Sequence, residues 1–258
     1  MKSMKKAVLF VSHRVNEDTM EKYQKLRNEL PGCCDVYWAL DKTKEKNELP
    51  EGVLSFKFSL ADICALGYEL LYDNCISGCI NFALQWFYRL HPEYDCYWSI
   101  EYDVVFTGNW RVLIEAFEDS GADFVSCHIE RYDKGRNAHW DWWNPVVWVD
   151  EDIPLERRVK AFNPIYCLSN RAISFLDGFF RKGNSGHYET LMSTALHVHG
   201  FKLVDMGGTG EFTPPEFKNR FYVQGFGVNN GTMRFRPVFL KEEVKALGVT
   251  DRLFHPLK

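Results

Sequence analysis

Positions 6–12 (Lys-Ala-Val-Leu-Phe-Val-Ser) run almost continuously apolar, the pattern of a strand buried on both faces. A charged stretch of helical period follows over 17–30 and stops at Pro31-Gly32. Residues 35–40 (Asp-Val-Tyr-Trp-Ala-Leu) read as a second strand, closed by the mixed charges of 41–44, and 53–58 as a third. Helical patterning over 60–73 and 77–90 leads to His91-Pro92-Glu93, then a strand at 94–101, a helix at 109–119 and a strand at 123–127. The order β-α-β-β-α-α-β-α-β predicts an α/β fold, a Rossmann-like, mostly parallel central sheet with helices on both faces. Beyond 129 the pattern is less regular. A loop rich in charge and Trp spans 130–152, with a strand expected at 161–168, helices at 170–182 and 188–198, a strand at 201–206 and a Gly/Pro-rich stretch over 207–215.

No repeat, low-complexity tract or linker interrupts the 258 residues. The chain therefore reads as one domain over 1–258, with a nucleotide-binding half at 1–128 and a more irregular half and C-terminal tail at 129–258. A net charge of −4 and a pI of about 6.1 argue against a nucleic-acid partner. No apolar run reaches the roughly 20 residues of a membrane span, and the segment after Lys5-Lys6 is too short for a signal sequence. A cytoplasmic location is the expectation. Peripheral contact with the inner membrane stays open, and apolar surface near Trp148 or Phe179-Phe180 could serve a dimer or a membrane-associated acceptor complex. The eight cysteines are scattered without structural-zinc spacing, and even Cys75 and Cys79, one helical turn apart, read best as free thiols in a reducing compartment.

The chemistry concentrates at 94–110, where an apolar, aromatic strand ends in Glu101-Tyr-Asp103 and a Gly-Asn-Trp turn. Residues i and i+2 of an extended chain share a side, with Cα atoms roughly 6.6 Å apart. Two carboxylates so placed can meet on one divalent cation that binds oxygen at about 2.0–2.6 Å. Packing alone gives a semi-buried strand no reason to end this way, since unpaired charge is costly to desolvate; solvated acids paired with Arg are the plain alternative. Ligands of open α/β sheets bind beyond the carboxyl ends of the strands, and His13-Arg14 and Asp41 fall at two more such ends.

The strand with Glu101-x-Asp103 resembles the Asp-x-Asp element of the GT-A-fold nucleotide-sugar-dependent glycosyltransferases, its first acid being Glu where Asp is commoner. The resemblance follows the order of elements along the whole chain and implies a single GT-A-like domain. It implies a divalent metal (Mn²⁺ or Mg²⁺) held by Asp103 and Glu101 against the diphosphate of a nucleotide sugar. His13 and Arg14 stand where the family places nucleotide contacts. The C-terminal His255-Pro-Leu-Lys258 is similar to late His/Lys pairs that complete the metal shell and grip phosphate, so His255 is a third metal ligand and Lys258 a donor contact. Gly186-His187-Tyr188-Glu189 resembles the position of the catalytic acid residue in inverting members. Glu189 would then deprotonate the acceptor hydroxyl, with His187 the lesser alternative.

Each assignment has a plainer counterpart: a solvated tail for 255–258, a helix-start acid favoured by the macrodipole for Glu189, and a helix-start hydrogen bonder for His187. Trp140, Asp141, Trp142 and Trp143 suit stacking on and hydrogen bonding to an acceptor sugar, or equally an aromatic core under a loop. His197 and His199 read as helix C-terminal residues, one of them in reserve as metal ligand, and Asn81 and Arg89 as surface or sheet-edge positions. The expected activity is metal-dependent transfer of a sugar, from UDP first among nucleotides, to a hydroxyl of a glycan or lipid-linked saccharide. A sugar nucleotidyltransferase is the first alternative, disfavoured by the glycine-free Val11–Asn16 segment. The other is a non-catalytic carbohydrate binder built on the Trp cluster, which would not need Asp103.

Overall fold

The computed structural model describes residues 4–44, 47–72, 74, 78–225 and 231–258. Strand β1 (Lys6–Ser12) is followed by helix α1 (Glu17–Glu29), then by strands β2 (Asp35–Asp41) and β3 (Ser55–Phe58) and helices α2 (Leu60–Cys64) and α3 (Phe82–Leu90). Next come β4 (Cys96–Glu101), the short β5 (Val105–Phe106), α4 (Trp110–Glu115) and β6 (Phe124–Arg131). The second half adds β7 (Val146–Val147), β8 (Val159–Ser169), α5 (Asn170–Arg181), β9 (Ser185–Gly186), α6 (Tyr188–Val198), β10 (Leu203–Asp205), α7 (Lys241–Ala246) and β11 (Leu253–Phe254).

Seven strands form one sheet in the order β10-β6-β8-β4-β1-β2-β3. Only β8 runs against its neighbours β4 and β6; the other pairings are parallel. The sheet is thus α/β and mostly parallel, and β8, from the second half of the chain, sits at its centre. Residues of β1 divide by parity, as a pleated strand requires. Ala7, Leu9 and Val11 enter the core beneath α2, α3, α5 and α6, whereas Val8 and Phe10 enter the core beneath α1 and α4. Burial on both faces explains why β1 reads as an unbroken apolar run.

Helix boundaries follow local chemistry. Asn16 opens α1 by accepting the Thr19 N–H at 2.9 Å, and Thr19 Oγ1 takes the Asn16 N–H at 3.0 Å, a reciprocal cap. The helix expected over 60–73 ends at Cys64, and the turn after it runs into Gly67 at φ +74°, a backbone state that favours glycine. The helix expected from 77 begins at Phe82, residue 77 itself lying outside the described residues. Strand β6 outruns its predicted end by four residues through two register shifts, and His128 within it sits at φ +49°. Phe179 and Phe180 are buried, so they present no apolar surface for contact with a membrane. No helix among the described residues is long and apolar enough to cross one. Cys79, Cys96, Cys127 and Cys167 are buried free thiols; Cys75 lies outside the described residues.

Candidate functional site

Strand β4 alternates Tyr97 and Ser99 toward one face with Trp98 and Ile100 toward the other, which leaves Glu101 at its carboxyl end on the face covered by α6. A turn closed by the Val104 N–H on the Glu101 carbonyl (3.0 Å) then places Asp103 beside it. The third group arrives from the far end of the chain. Residues 253–254 pair with β5, the Leu257 N–H donates to the Asp103 carbonyl (2.8 Å), and the Lys258 N–H to Phe239 O (2.9 Å). The tail is therefore held against the site, with His255 and Leu257 buried.

One nitrogen or oxygen from each of Glu101, Asp103 and His255 lies within 4.8 Å of the others. His255 Nε2 is 3.5 Å from Asp103 Oδ1 and 3.9 Å from Glu101 Oε2. Its Nδ1 sits 2.8 Å from the Arg234 carbonyl, so Nδ1 carries the hydrogen and Nε2 faces the carboxylates, the arrangement seen in metal-binding histidines. Asp103 Oδ1 is buried and takes no hydrogen bond.

The three groups titrate apart. Burial, together with the Asp103 charge, pushes Glu101 up to about 8. Burial also acts to raise Asp103, but the facing His255 imidazole, 3.5 Å away, outweighs it and holds Asp103 below the usual range. His255 is raised: burial alone would lower it, and Asp103 and Glu101 prevail. A cluster that keeps an extra proton between two acids is one in which a cation is electrostatically favoured. Asp103, Glu101 and His255 offer the oxygen and imidazole donors that Mn²⁺ or Mg²⁺ accepts, so the donor set fits such an ion. The other acid-rich group among the described residues, Cys33 with Glu115 and Glu118, has Glu118 tied to the Lys6 ammonium.

Facing this cluster from α6 is Glu189, buried, with Oε1 accepting the Asn163 N–H at 3.2 Å. Burial raises it to about 7, and the Asn163 hydrogen bond, Lys160 and His255 moderate the rise. His187 precedes the helix as its N-cap residue, stacked on Trp142 with ring centroids 4.4 Å apart. Its Nδ1 is buried without a hydrogen bond and 3.8 Å from Glu189 Oε2; desolvation lowers it to about 4, so it is neutral near pH 7. Gly186 makes this approach possible, since a Cβ there would lie 2.4 Å from the Pro145 carbonyl oxygen.

The Trp segment divides. Trp143 is 1% exposed and donates its indole N–H to Asn137 O (2.8 Å), so it is core and not available to an acceptor. Trp140 and Trp142 are half-buried and Asp141 is exposed. The buried Lys160 holds its ammonium 5.4 Å from the Trp140 ring and 3.4 Å from Glu130. Lys160 is a residue that reasoning from the sequence passed over, although a lysine inside an apolar strand is a signal in itself.

At the neighbouring strand ends, His13 packs edge-on to Tyr102 (5.3 Å), the residue between the two acids in sequence, and accepts from Arg14 Nε (3.0 Å). Asp41 caps its own turn through the Thr43 N–H (2.8 Å). The Lys258 side chain is exposed. His197 lies 2.9 Å from Arg131 and His199 bonds Ala195 O (2.8 Å), so neither joins the cluster. Asn81 is buried rather than at a surface or sheet edge, and Arg89 pairs with Asp177 at 2.9 Å.

A family model described as "Protein of unknown function (DUF3405)" matches residues 68–134, a span that contains Glu101 and Asp103. No curated protein matches the chain. Among solved structures, a glycosyltransferase involved in glycosylation of the major capsid of PBCV-1 is similar at 10% identity over 97% of this chain and 91% of that one, with a TM-score of 0.40. Mouse xyloside xylosyltransferase 1 is similar at 12% identity over 79% and 85%, TM-score 0.39. The inositol-1-phosphate CTP transferase from T. maritima is similar at 12% over 82% and 91%, TM-score 0.42. At these values the topology and the geometry of the site, not the likeness, carry the reading that follows.

Proposed function

We propose that this protein is a metal-dependent glycosyltransferase that moves a sugar from a nucleotide diphosphate, UDP first, to a hydroxyl of a saccharide acceptor. The observation that supports it is the convergence of Glu101, Asp103 and His255 at the carboxyl end of β4 from positions more than 150 residues apart. An acidic cluster of solvated surface residues would not recruit a buried histidine whose second nitrogen is fixed by a carbonyl.

Asp103, Glu101 and His255 would hold the divalent ion; when bound, it supplies positive charge against the diphosphate as the leaving group gains negative charge. Arg14, which packs on Tyr102, and Lys258, three residues beyond His255, would add to that neutralisation. Glu189 is placed to take the proton of the acceptor hydroxyl, and a carboxylate raised to about 7 is matched to that task near neutral pH. Attack assisted by a base opposite the leaving group inverts the anomeric centre. Trp142, its position set by His187, and Trp140 offer ring faces to the acceptor, and Asp141 offers a carboxylate to its hydroxyls. The Ser12–Asn16 turn carries no glycine and folds on itself through Ser12 Oγ and the Arg14 N–H (2.9 Å), which disfavours the phosphate loop a nucleotidyltransferase needs.

Calorimetric titration of UDP with Mn²⁺, and again with EDTA, tests the reading. Binding that requires the ion supports it and opens a screen of UDP-sugars by release of UDP. Failure of both UDP and GDP to bind with Mn²⁺ overturns it.

A further inference from the structure

A cavity of about 410 Å³ lies on the other side of the β4–β5 turn, between α1, β5 and α7. That volume falls in the range of roughly 300–1,000 Å³ typical of small-molecule sites. It exists because α7 is not packed into the main core. Val244 joins Phe239, Phe254 and Leu257 in a small core of its own, and Lys241 ties the helix to α1 through Asp18 at 2.6 Å and Glu21 at 3.4 Å. The helix is thus held over the body with a space beneath it.

The lining has two parts. Its floor is apolar and buried, formed by Phe10, Leu26, Phe106, Trp110 and Val244. Its walls carry four lysines, Lys22, Lys25, Lys241 and Lys245, against the single carboxylate of Glu21. Asp18, Glu21 and Glu29 pair with the first three, whereas Lys245 forms no ion pair among the described residues. A hydrophilic anion would leave the floor in contact with water, a neutral hydrocarbon would not use Lys245, and a cation would meet the lysines.

We propose that this cavity binds an amphiphilic anion, a single hydrocarbon chain or ring body with one negative head group, the chain on the apolar floor and the head group at Lys245. Two of its wall residues, Val104 and Leu257, flank Asp103 in space, and Leu257 holds the Asp103 carbonyl at 2.8 Å. Occupancy therefore also changes the affinity of the Glu101–Asp103–His255 cluster for its ion, a coupling that rests on the metal reading above and is reciprocal by thermodynamic necessity.

The test is calorimetric titration of the full chain with decanesulfonate below its micelle concentration. Decanol (chain without charge), decyltrimethylammonium (chain with the opposite charge) and methanesulfonate (charge without chain) serve as comparators. The expected result is one saturable site for decanesulfonate, at least tenfold tighter than for any comparator. Val244→Trp fills the cavity and weakens that binding at least tenfold. Val249→Trp, at the exposed rim, does the same without a core substitution if the first variant fails to fold, and Lys245→Glu removes the preference for decanesulfonate over decanol. Equal binding of decanol or decyltrimethylammonium overturns the anion assignment, and binding unchanged by Val249→Trp or non-saturating binding overturns the site. Mn²⁺ affinity, read by electron paramagnetic resonance with and without saturating decanesulfonate, is expected to differ at least threefold. No difference overturns the coupling while the titration still decides the cavity, and failure of Mn²⁺ to bind at all counts against the metal reading instead.

Discussion

Asp103→Asn separates a metal ligand from a structural acid. Near neutral pH the cluster holds an ionised Asp103 opposite a His255 whose affinity for its proton is raised, with Glu101 largely protonated at about 8. Opposite charges 3.5 Å apart attract by roughly 5 kcal/mol at an effective dielectric of about 20, an upper bound on what the fold could lose. The actual loss is capped well below that. Once its partner is neutral, His255 sheds its proton instead of remaining an unpaired buried cation, and at pH 7.5 that step costs an imidazole of ordinary basicity nothing. A stability loss of about 1 kcal/mol is therefore expected, the scale of a weak ion pair held without a hydrogen bond. Ion binding has no such escape. Asparagine offers a neutral carbonyl oxygen in place of the one carboxylate already ionised, and loss even of groups that merely orient metal ligands costs roughly 10–100-fold. Mn²⁺ affinity should fall at least about 100-fold, some 2.7 kcal/mol. Urea unfolding gives the first quantity and Mn²⁺ titration followed by paramagnetic resonance the second. Mn²⁺ binding like that of the wild type, or a stability loss of 3 kcal/mol or more with binding reduced only in proportion, would refute the reasoning.

Glu189→Gln keeps an acceptor for the Asn163 N–H but removes the base, so transfer should slow by about 100-fold or more while Mn²⁺-dependent UDP binding is kept. In the wild type the rate should fall as pH drops below about 7, where Glu189 becomes protonated, and the variant should lack that limb in a pH–rate profile. Trp143→Ala should cost about 3–5 kcal/mol of stability by thermal or denaturant unfolding, as expected for a buried Trp. Trp142→Ala should cost less stability than Trp143→Ala, its ring being half-buried and stacked on His187, and raise the acceptor KM, with the donor KM unaffected. Asp123 is buried, and Arg171, with the Lys202 N–H (2.9 Å) and the Ser169 hydroxyl (2.8 Å), outweighs burial and lowers it from 3.8. Its contribution is full above 3.8 and disappears as pH falls through the lowered value; Asp123→Ala, which leaves the Lys202 N–H and the Ser169 hydroxyl without their acceptor, should remove about 2 kcal/mol at pH 7 and flatten the acid limb of the stability profile.

What the sequence discloses depends on how local the cause is. Strand β1 and helices α1, α5 and α6 are legible because an apolar run, a cap or a periodic stripe lies within each segment. Glu101 and Asp103 are legible as a pair because one residue separates them, but β4 ends at Glu101 and the turn closed by the Val104 N–H, rather than strand parity, brings them together. The helix expected over 60–73 stops early for a reason that is also local, the left-handed Gly67. Trp142 and Trp143 show the limit of reading by residue type: they are neighbours in one 3₁₀ turn (Asp141–Trp143), yet one stacks on His187 and the other is sealed in the core. Nothing in their composition distinguishes them. The groups that tune the site are harder still, since the Asn163 N–H and the Arg234 carbonyl are backbone atoms that any residue could supply.

The site's chemistry is set by the order in which charge is compensated rather than by the number of acids. Three buried or half-buried carboxylates meet here: Glu101 is raised to about 8, Glu189 to about 7, and Asp103 is held below the usual range. Asp103 is ionised early because His255 faces it, Glu101 late because Asp103 faces it, and Glu189 is poised between them by burial. Groups whose environments drive their ionisation apart are the groups to which separate roles can be given. The divergence between Glu101 and Asp103 depends on His255, and His255 is in place only because β11 pairs with β5 and Leu257 anchors on the Asp103 carbonyl. Displacing residues 253–258 would therefore do more than remove one candidate ligand. It would raise Asp103 toward Glu101 and leave two acids competing for one charge, with only the more solvated of them ionised at neutral pH. The C-terminal segment is what separates the ionisation of Asp103 from that of Glu101 at this strand end.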